Sequence, residues 1–75
     1  MENILLYLKN GNIITIGGKK DYTPTSFRYI NNKLYYKNKA ISGDIWVEHP
    51  SNLIEFKRHL QNMIDSNFKI LLGGK

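Results

Sequence analysis

Aromatic and basic residues alternate in the segment 27–39, which is the part of the sequence best suited to bind a ligand. If the segment forms two strands, Arg28, Lys33, Tyr35 and Lys37 fall on one face. A tyrosine ring there can stack on a nucleic-acid base, which contributes about 1–3 kcal/mol, while the cations contact phosphates. In the alternative interpretation, Arg28 lies over the Tyr35 ring and the pair only stabilises its own sheet, by about 0.5–1 kcal/mol. The residue types fit both interpretations.

Three further residues are candidates for the same binding surface. Lys19 and Lys20 lie in the segment 17–25, whose glycines and proline mark it as a loop. They form either a phosphate-contacting tip or an ordinary solvated loop. Trp46 is the only tryptophan, and its large apolar area favours burial in the core or in a dimer seam. Otherwise it joins Tyr35 as a second stacking platform.

The chain carries an excess of positive charge. Lys and Arg number 11 against 6 Asp and Glu, which gives a net charge of +5. This excess favours nucleic acid, an anionic membrane surface or an acidic protein as the partner. We expect no membrane binding, because the polar face of the predicted helix holds Glu55 and Asp65, whereas an interfacial helix is rich in lysine. No apolar run reaches about 20 residues and the N-terminus lacks a basic signal region, so we expect a cytoplasmic protein.

The titratable residues give little support for catalysis. Glu48 precedes His49 at the end of a predicted strand, and Glu55 and His59 are ordinary neighbours on a predicted helix. Metal-dependent hydrolysis needs convergent carboxylates or histidines, whereas the acidic residues are spread along the chain. There is no cysteine for covalent catalysis, a thiolate zinc site or a disulfide. We therefore expect no enzymatic activity, no metal and no cofactor.

Two consecutive hairpins are predicted from their turn residues. Asn10-Gly11 tolerates the positive φ angles of a type I′ turn, which predicts strands at residues 3–9 and 12–16. A second turn at Asn31-Asn32 sets Arg28 opposite Tyr35, whereas a shift by one residue would set Arg28 opposite Lys37, a like-charge pair. We therefore expect the first register. The core side of this hairpin then consists of Phe27, Tyr29, Leu34 and Tyr36.

The second half of the chain predicts a strand, a helix and a short final strand. Residues 44–48 alternate as a strand, and the helix should begin at His49-Pro50, with Pro50 in its first turn and Ser51 or Asn52 as its cap. Its apolar stripe should cover one sheet face. The stripe consists of Leu53, Phe56, Leu60, Met63 and Ile64. We expect the helix to end near 66–67, residues 68–72 to form an edge strand rather than an apolar tail, and residues 73–75 to fray.

These elements make an α+β domain. A curved antiparallel sheet of four to five strands, formed by two consecutive hairpins plus one strand, is followed by one amphipathic helix packed on the sheet, with a possible short C-terminal strand. The 75 residues form a single small domain, residues 1–75. A chain of this size buries only about 60% of its unfolded surface, so we expect a homodimer.

The segment from Val47 to Leu60 resembles the strand-to-helix junction of the positive-cofactor-four type of single-stranded-DNA-binding domain. The resemblance is carried by a strand end, Pro50 and the apolar stripe that follows it. In that family a basic, aromatic sheet precedes one amphipathic helix through which two subunits dimerise. The resemblance is confined to this segment.

We expect the protein to be a small, basic nucleic-acid-binding module with weak sequence specificity. It should favour single strands over duplex, with DNA and RNA both open. Its site would comprise Tyr35 and Trp46 for stacking and Arg28, Lys33, Lys37, Lys19 and Lys20 for phosphates. The alternative is a protein-binding inhibitor or adaptor, for example a mobile-element or phage product acting on a host protein. Its motivation is that the first hairpin and residues 68–72 offer more apolar surface than one short helix can cover.

Overall fold

The computed structural model describes residues 2–74, which form one antiparallel five-stranded sheet and two helices. The elements in chain order are α1 (Glu2–Lys9), β1 (Ile14–Gly17), β2 (Thr25–Ile30), β3 (Lys33–Asn38), β4 (Val47–Glu48), α2 (Leu53–Asp65) and β5 (Lys69–Leu72). The strand order is β4-β3-β2-β1-β5. The predicted α+β class, with an antiparallel sheet followed by a packed helix and a short last strand, is confirmed.

The predicted first hairpin is wrong, because residues 2–9 form α1. Leu5 and Leu8 are buried in this helix, and Ile4 and Tyr7 pack against the same core, which is the three-and-four spacing of a helical stripe. The Asn10-Gly11 pair ends the helix rather than joining two strands. Gly11 has φ of +86° and its N–H donates to the Leu8 carbonyl at 2.9 Å. A glycine with positive φ serves a helix C-terminus as well as a hairpin turn.

The second hairpin is confirmed in both its turn and its register. Arg28 pairs with Tyr35 and Tyr29 with Leu34. Asn31 and Asn32 have φ of +52° and +63°, as a type I′ turn requires. Asparagine tolerates this conformation better than other residues with a β-carbon.

The helix α2 begins later than predicted. Asn52 is its N-cap, and a capping box joins it to Glu55: the Asn52 side-chain oxygen accepts from the Glu55 N–H at 2.9 Å, while the Glu55 carboxylate accepts from the Asn52 N–H at 3.3 Å. Pro50 therefore precedes the helix, and its predicted place in the first turn is wrong. The predicted end is confirmed, since Ser66 is the C-cap.

Both helices pack on the same face of the sheet. Side chains of alternating strand residues meet Leu5 and Leu8 of α1 and Phe56 and Leu60 of α2 in one core. The strand residues buried there are Ile14, Ile16, Phe27 and Leu34. Since strand side chains alternate, the intervening residues form an opposite face that neither helix covers. We call this the open face, and its residues are Thr15, Ser26, Arg28, Ile30, Lys33, Tyr35, Lys37, Glu48, Lys69 and Leu71.

The C-terminal strand β5 is the edge strand that the sequence predicts. It pairs with β1 in the register Ile14 with Leu72 and Thr15 with Leu71. The predicted fraying is wrong for residues 73–74, because the Gly73 N–H donates to the Ile13 carbonyl at 2.8 Å and the Ile13 N–H donates to the Gly74 carbonyl at 2.9 Å. Lys75, the remainder of that prediction, lies outside the described residues.

Candidate nucleic-acid interface

Trp46 directly precedes β4 and lies on the open-face side of the sheet, where two cations approach its ring. The guanidinium carbon of Arg28 is 5.3 Å from the ring centroid, and the Lys37 Nζ atom is 5.2 Å from it. The adjacent pairing of Tyr36 with Val47 explains this position, because the same register brings residue 46 next to Lys37. Trp46 is half-buried. Its predicted burial in the core is therefore wrong, while a place in a dimer seam stays a prediction.

Arg28 is held by its strand and by Trp46. Its Nε atom is buried and has no hydrogen-bond partner among residues 2–74. An unpartnered buried donor costs about 1–3 kcal/mol, and the face of the Trp46 ring offsets part of this cost through its negative quadrupole. The expected contact of the Arg28 guanidinium with Tyr35 is thus replaced by one with Trp46, although Arg28 and Tyr35 remain directly opposite each other.

A shallow recess separates the two predicted stacking residues. Arg28, Ile30, Tyr35 and Trp46 line it, and its volume is about 170 Å³. Ile30 and Tyr35 are half-buried, and the lining of the recess combines apolar and aromatic side chains with one guanidinium. This combination suits a planar, anionic ligand, because apolar and aromatic atoms contact the plane while the cation attracts the charge.

Lys33 lies at the hairpin-tip end of the open face, near a carboxylate. Its Nζ atom is 3.8 Å from the Glu48 Oε1 atom, and both side chains are largely exposed. Such an ion pair adds little stability in water. Glu48 nevertheless neutralises part of the positive charge there, so Lys33 offers less attraction to a phosphate than Lys37 does.

The structure does not bring the loop residue Lys19 to this site. The Lys19 Nζ atom lies 5.5 Å from the centroid of the Phe68 ring, and Phe68 packs against the core on the helix side of the sheet. Lys20 is exposed on the same loop between β1 and β2. The predicted grouping with Arg28 is therefore not seen for Lys19, and for Lys20 it stays a prediction.

Two of the titratable residues considered for catalysis, Glu55 and His49, make contacts that serve the structure. Glu55 belongs to the capping box, and the ring of His49 packs edge-on against Tyr36, with its Nδ1 atom accepting from the Ser51 N–H at 3.2 Å. Burial, and then the charge of His59, lower the pKa of His49. Within residues 2–74, no three His, Cys, Asp or Glu side chains converge as a metal site would require.

Sequence reasoning left Glu48 out of the site and gave Ile30 no role in it, although the predicted register already places Ile30 on this face. Ile30 contributes apolar surface to the recess. Glu48 lowers the positive charge of the open face next to Lys33. The signal was present in the alternation of residues 44–48, since Trp46 and Glu48 must point to the same face of an extended segment. The pairing partner of that segment, β3, was not predicted, and it alone fixes which face this is.

Comparison with known proteins found no matching family model, no matching curated protein and no matching solved structure. The resemblance of residues 47–60 to a strand-to-helix junction therefore stays an expectation; in the structure this segment holds β4, Pro50 and the first part of α2 in that order. None of the helices in the described part of the chain has the length and apolarity needed to cross a bilayer.

Proposed function

We propose that the protein is a small, non-catalytic nucleic-acid-binding module that uses the open face and acts in the cytoplasm, most effectively on single strands. One observation carries the proposal: the half-buried Trp46 ring has the cations of Arg28 and Lys37 at 5.3 Å and 5.2 Å from its centroid and lines a recess together with Tyr35. Aromatic rings and cations in this arrangement bind bases by stacking and phosphates by charge.

Single strands suit this site better than duplexes. Stacking on a side chain requires a base whose plane is accessible, and a single strand offers such bases without unpairing. Stacking on an aromatic ring and attraction to phosphate are available to every nucleotide, so sequence specificity should be weak. DNA and RNA are both ligands to test.

The test follows the fluorescence of Trp46, which reports on the site directly because the chain has no other tryptophan. Titration with a single-stranded oligonucleotide at low salt should quench this fluorescence, since a base stacks on the ring. Trp46→Ala should weaken binding about 5- to 150-fold, as expected from a stacking contribution of about 1–3 kcal/mol; its affinity is measured by anisotropy of a labelled oligonucleotide.

A charge-matched pair of variants separates the site from general basicity. Arg28→Ala with Lys37→Ala removes two cations from the open face, whereas Lys9→Ala with Arg58→Ala removes two exposed cations from the helices. For a single strand, the first pair should reduce the slope of log affinity against log salt by about 1.4, because each phosphate contact contributes about 0.7. The second pair should leave the slope unchanged. Equal effects of the two pairs would assign binding to net charge and reject the open face as the site.

One observation supports the alternative function, which is binding to an acidic protein. Ile41 and Ile45 are 78% and 71% exposed in the segment between β3 and β4, next to Trp46. The excess of apolar surface expected from the sequence gives this alternative less support, because the segment expected to form the first strand is the helix α1, whose apolar side chains pack into the core. Absence of both quenching and an electrophoretic shift at low salt, with single-stranded and duplex DNA and RNA, would favour this alternative.

A further inference from the structure

The outer edge of β5 is an unprotected sheet edge. Within residues 2–74, β5 has β1 on one side and no strand on the other. Its last two residues, Leu71 and Leu72, are 64% and 60% exposed. They point to opposite faces of the sheet, so the edge is apolar on both sides.

The backbone of this edge offers hydrogen-bonding groups in a defined pattern. Gly73 bonds to Ile13, and hydrogen-bonded pairs alternate along an antiparallel ladder, so Leu71 and Lys69 also direct their backbone groups towards β1. The N–H and C=O groups of Ile70 and Leu72 consequently point away from β1. Two donors and two acceptors therefore lie along the free edge.

The opposite edge of the sheet, formed by β4, is protected against pairing with another strand, whereas the β5 edge is not. At that edge, β4 comprises only Val47 and Glu48, and Pro50 follows closely. Short strands, charges and proline are the usual protection against pairing of edges. In β5 the only charge is Lys69, at its start, and there is no proline.

We propose that β5 pairs with β5 of a second copy of this chain, forming a twofold-symmetric dimer with a continuous ten-stranded sheet. This interface does not depend on the proposed nucleic-acid binding. It specifies the homodimer expected from the small size of the domain and places its seam at the sheet edge rather than at the helix α2.

The sequence of the edge fits itself in one antiparallel register. If the twofold axis passes at Leu71, each Leu71 faces its copy in a non-hydrogen-bonded pair, where side chains approach most closely. Ile70 then faces Leu72 of the partner subunit on both sides of the axis, and their free groups form four hydrogen bonds. Lys69 faces Gly73 of the partner subunit, so no two cations are opposed. An apolar centre, complete backbone pairing and separated charges all favour a second copy over an unrelated strand.

The dimer should be weak and reversible. Edge pairing over four or five residues buries less than the roughly 1,200 Å² of stable complexes, which suggests a dissociation constant between about 1 µM and 1 mM. In the dimer the open faces join, because the sheet continues through the seam. With strands about 4.8 Å apart and about 3.3 Å per residue, the two copies of Arg28 would be separated by about 24 Å perpendicular to the strands and by about 13 Å along them.

The mass of the full chain measured by sedimentation equilibrium, up to about 1 mM protein, tests the interface. We expect a monomer–dimer equilibrium in the wild type and a monomer for Leu71→Lys, because that change places like charges directly opposite each other. Ile54→Lys is the matched control, since Ile54 is also exposed, at 78%, but lies on α2. It adds the same charge and should leave the dimer intact. Circular dichroism checks that both variants are folded.

Mixing two variants tests the register. Leu71→Lys and Leu71→Glu should each be monomeric, and their equimolar mixture should form heterodimers at least as tightly as the wild type self-associates, because residue 71 faces itself. In hydrogen exchange, the Ile70 and Leu72 amides should become protected only as protein concentration rises, whereas the Leu71 amide should be protected throughout. A monomeric wild type at all concentrations, or a dimer abolished by Ile54→Lys but not by Leu71→Lys, would overturn the proposal.

Discussion

Replacement of Trp46 should destabilise the protein in a way that depends on Arg28. The Arg28 guanidinium carbon lies 5.3 Å from the ring centroid, and the Nε atom is buried without a hydrogen-bond partner among the described residues. A cation–π contact contributes about 0.5–1 kcal/mol when exposed and about 2 kcal/mol when desolvated. Both residues are half-buried. We therefore expect a coupling free energy of about 1 kcal/mol between them.

A double-mutant cycle of Arg28→Ala and Trp46→Ala measures this coupling. Urea unfolding is followed by far-ultraviolet circular dichroism, because two of the variants lack the only tryptophan. Trp46→Ala should cost about 1 kcal/mol less in the Arg28→Ala background than in the wild type. For a domain of this size, 1 kcal/mol corresponds to about 4–8 °C in Tm.

Lys19→Ala provides the control for this cycle. The Lys19 Nζ atom lies over the Phe68 ring instead of the Trp46 ring, so its combination with Trp46→Ala should be additive. A coupling smaller than about 0.3 kcal/mol between Arg28 and Trp46 would refute the packing of the guanidinium on the ring, because independent sites add within that margin.

Two further predictions concern the junction between β4 and α2. Asn52→Ala removes the oxygen that accepts from the Glu55 N–H and should lower the free energy of unfolding, measured in urea, by about 0.5–2 kcal/mol. Asn52→Asp keeps a capping oxygen and should change this free energy little. Equal losses in the two variants would contradict the role of Asn52 as the cap. Burial, and then His59, lower the pKa of His49 in the folded state, so the unfolded chain binds more protons between that pKa and its own value of about 6.5. The free energy of unfolding should be greatest above about pH 6.5 and should fall as the pH decreases towards the folded-state pKa of His49. Urea midpoints of the wild type, measured as a function of pH, should show this decrease. The same pH dependence in His49→Gln would contradict the assignment to His49.

The second hairpin was predictable because local features determine it. Two asparagines that tolerate positive φ form its turn, and the like-charge pair of Arg28 and Lys37 excludes the neighbouring register. Phe27, Tyr29, Leu34 and Tyr36 also fall on one face, whereas all the cations of the hairpin fall on the other. Turn conformation, charge and burial therefore agree on a single pairing, and that agreement is available from twelve consecutive residues.

The N-terminal segment lacks such agreement. Asn10-Gly11 suits a hairpin turn and a helix end equally, because both need positive φ. Residues 4–8 are nearly all apolar, so they fit a buried strand as well as a helix. Only the packing of Leu5 and Leu8 against β2 and its neighbours distinguishes the two, and that packing involves residues distant in sequence.

The misplacement of Trp46 in the core has a different cause, because that prediction rested on the large apolar area of the ring alone. In the structure, α1 supplies Leu5 and Leu8, which together with Phe56 and Leu60 of α2 cover that face. The core therefore does not need the tryptophan, and the pairing of Val47 with Tyr36 directs Trp46 to the open face. A helix on one side of the sheet thus leaves the aromatic ring available on the other, where the proposed site requires it.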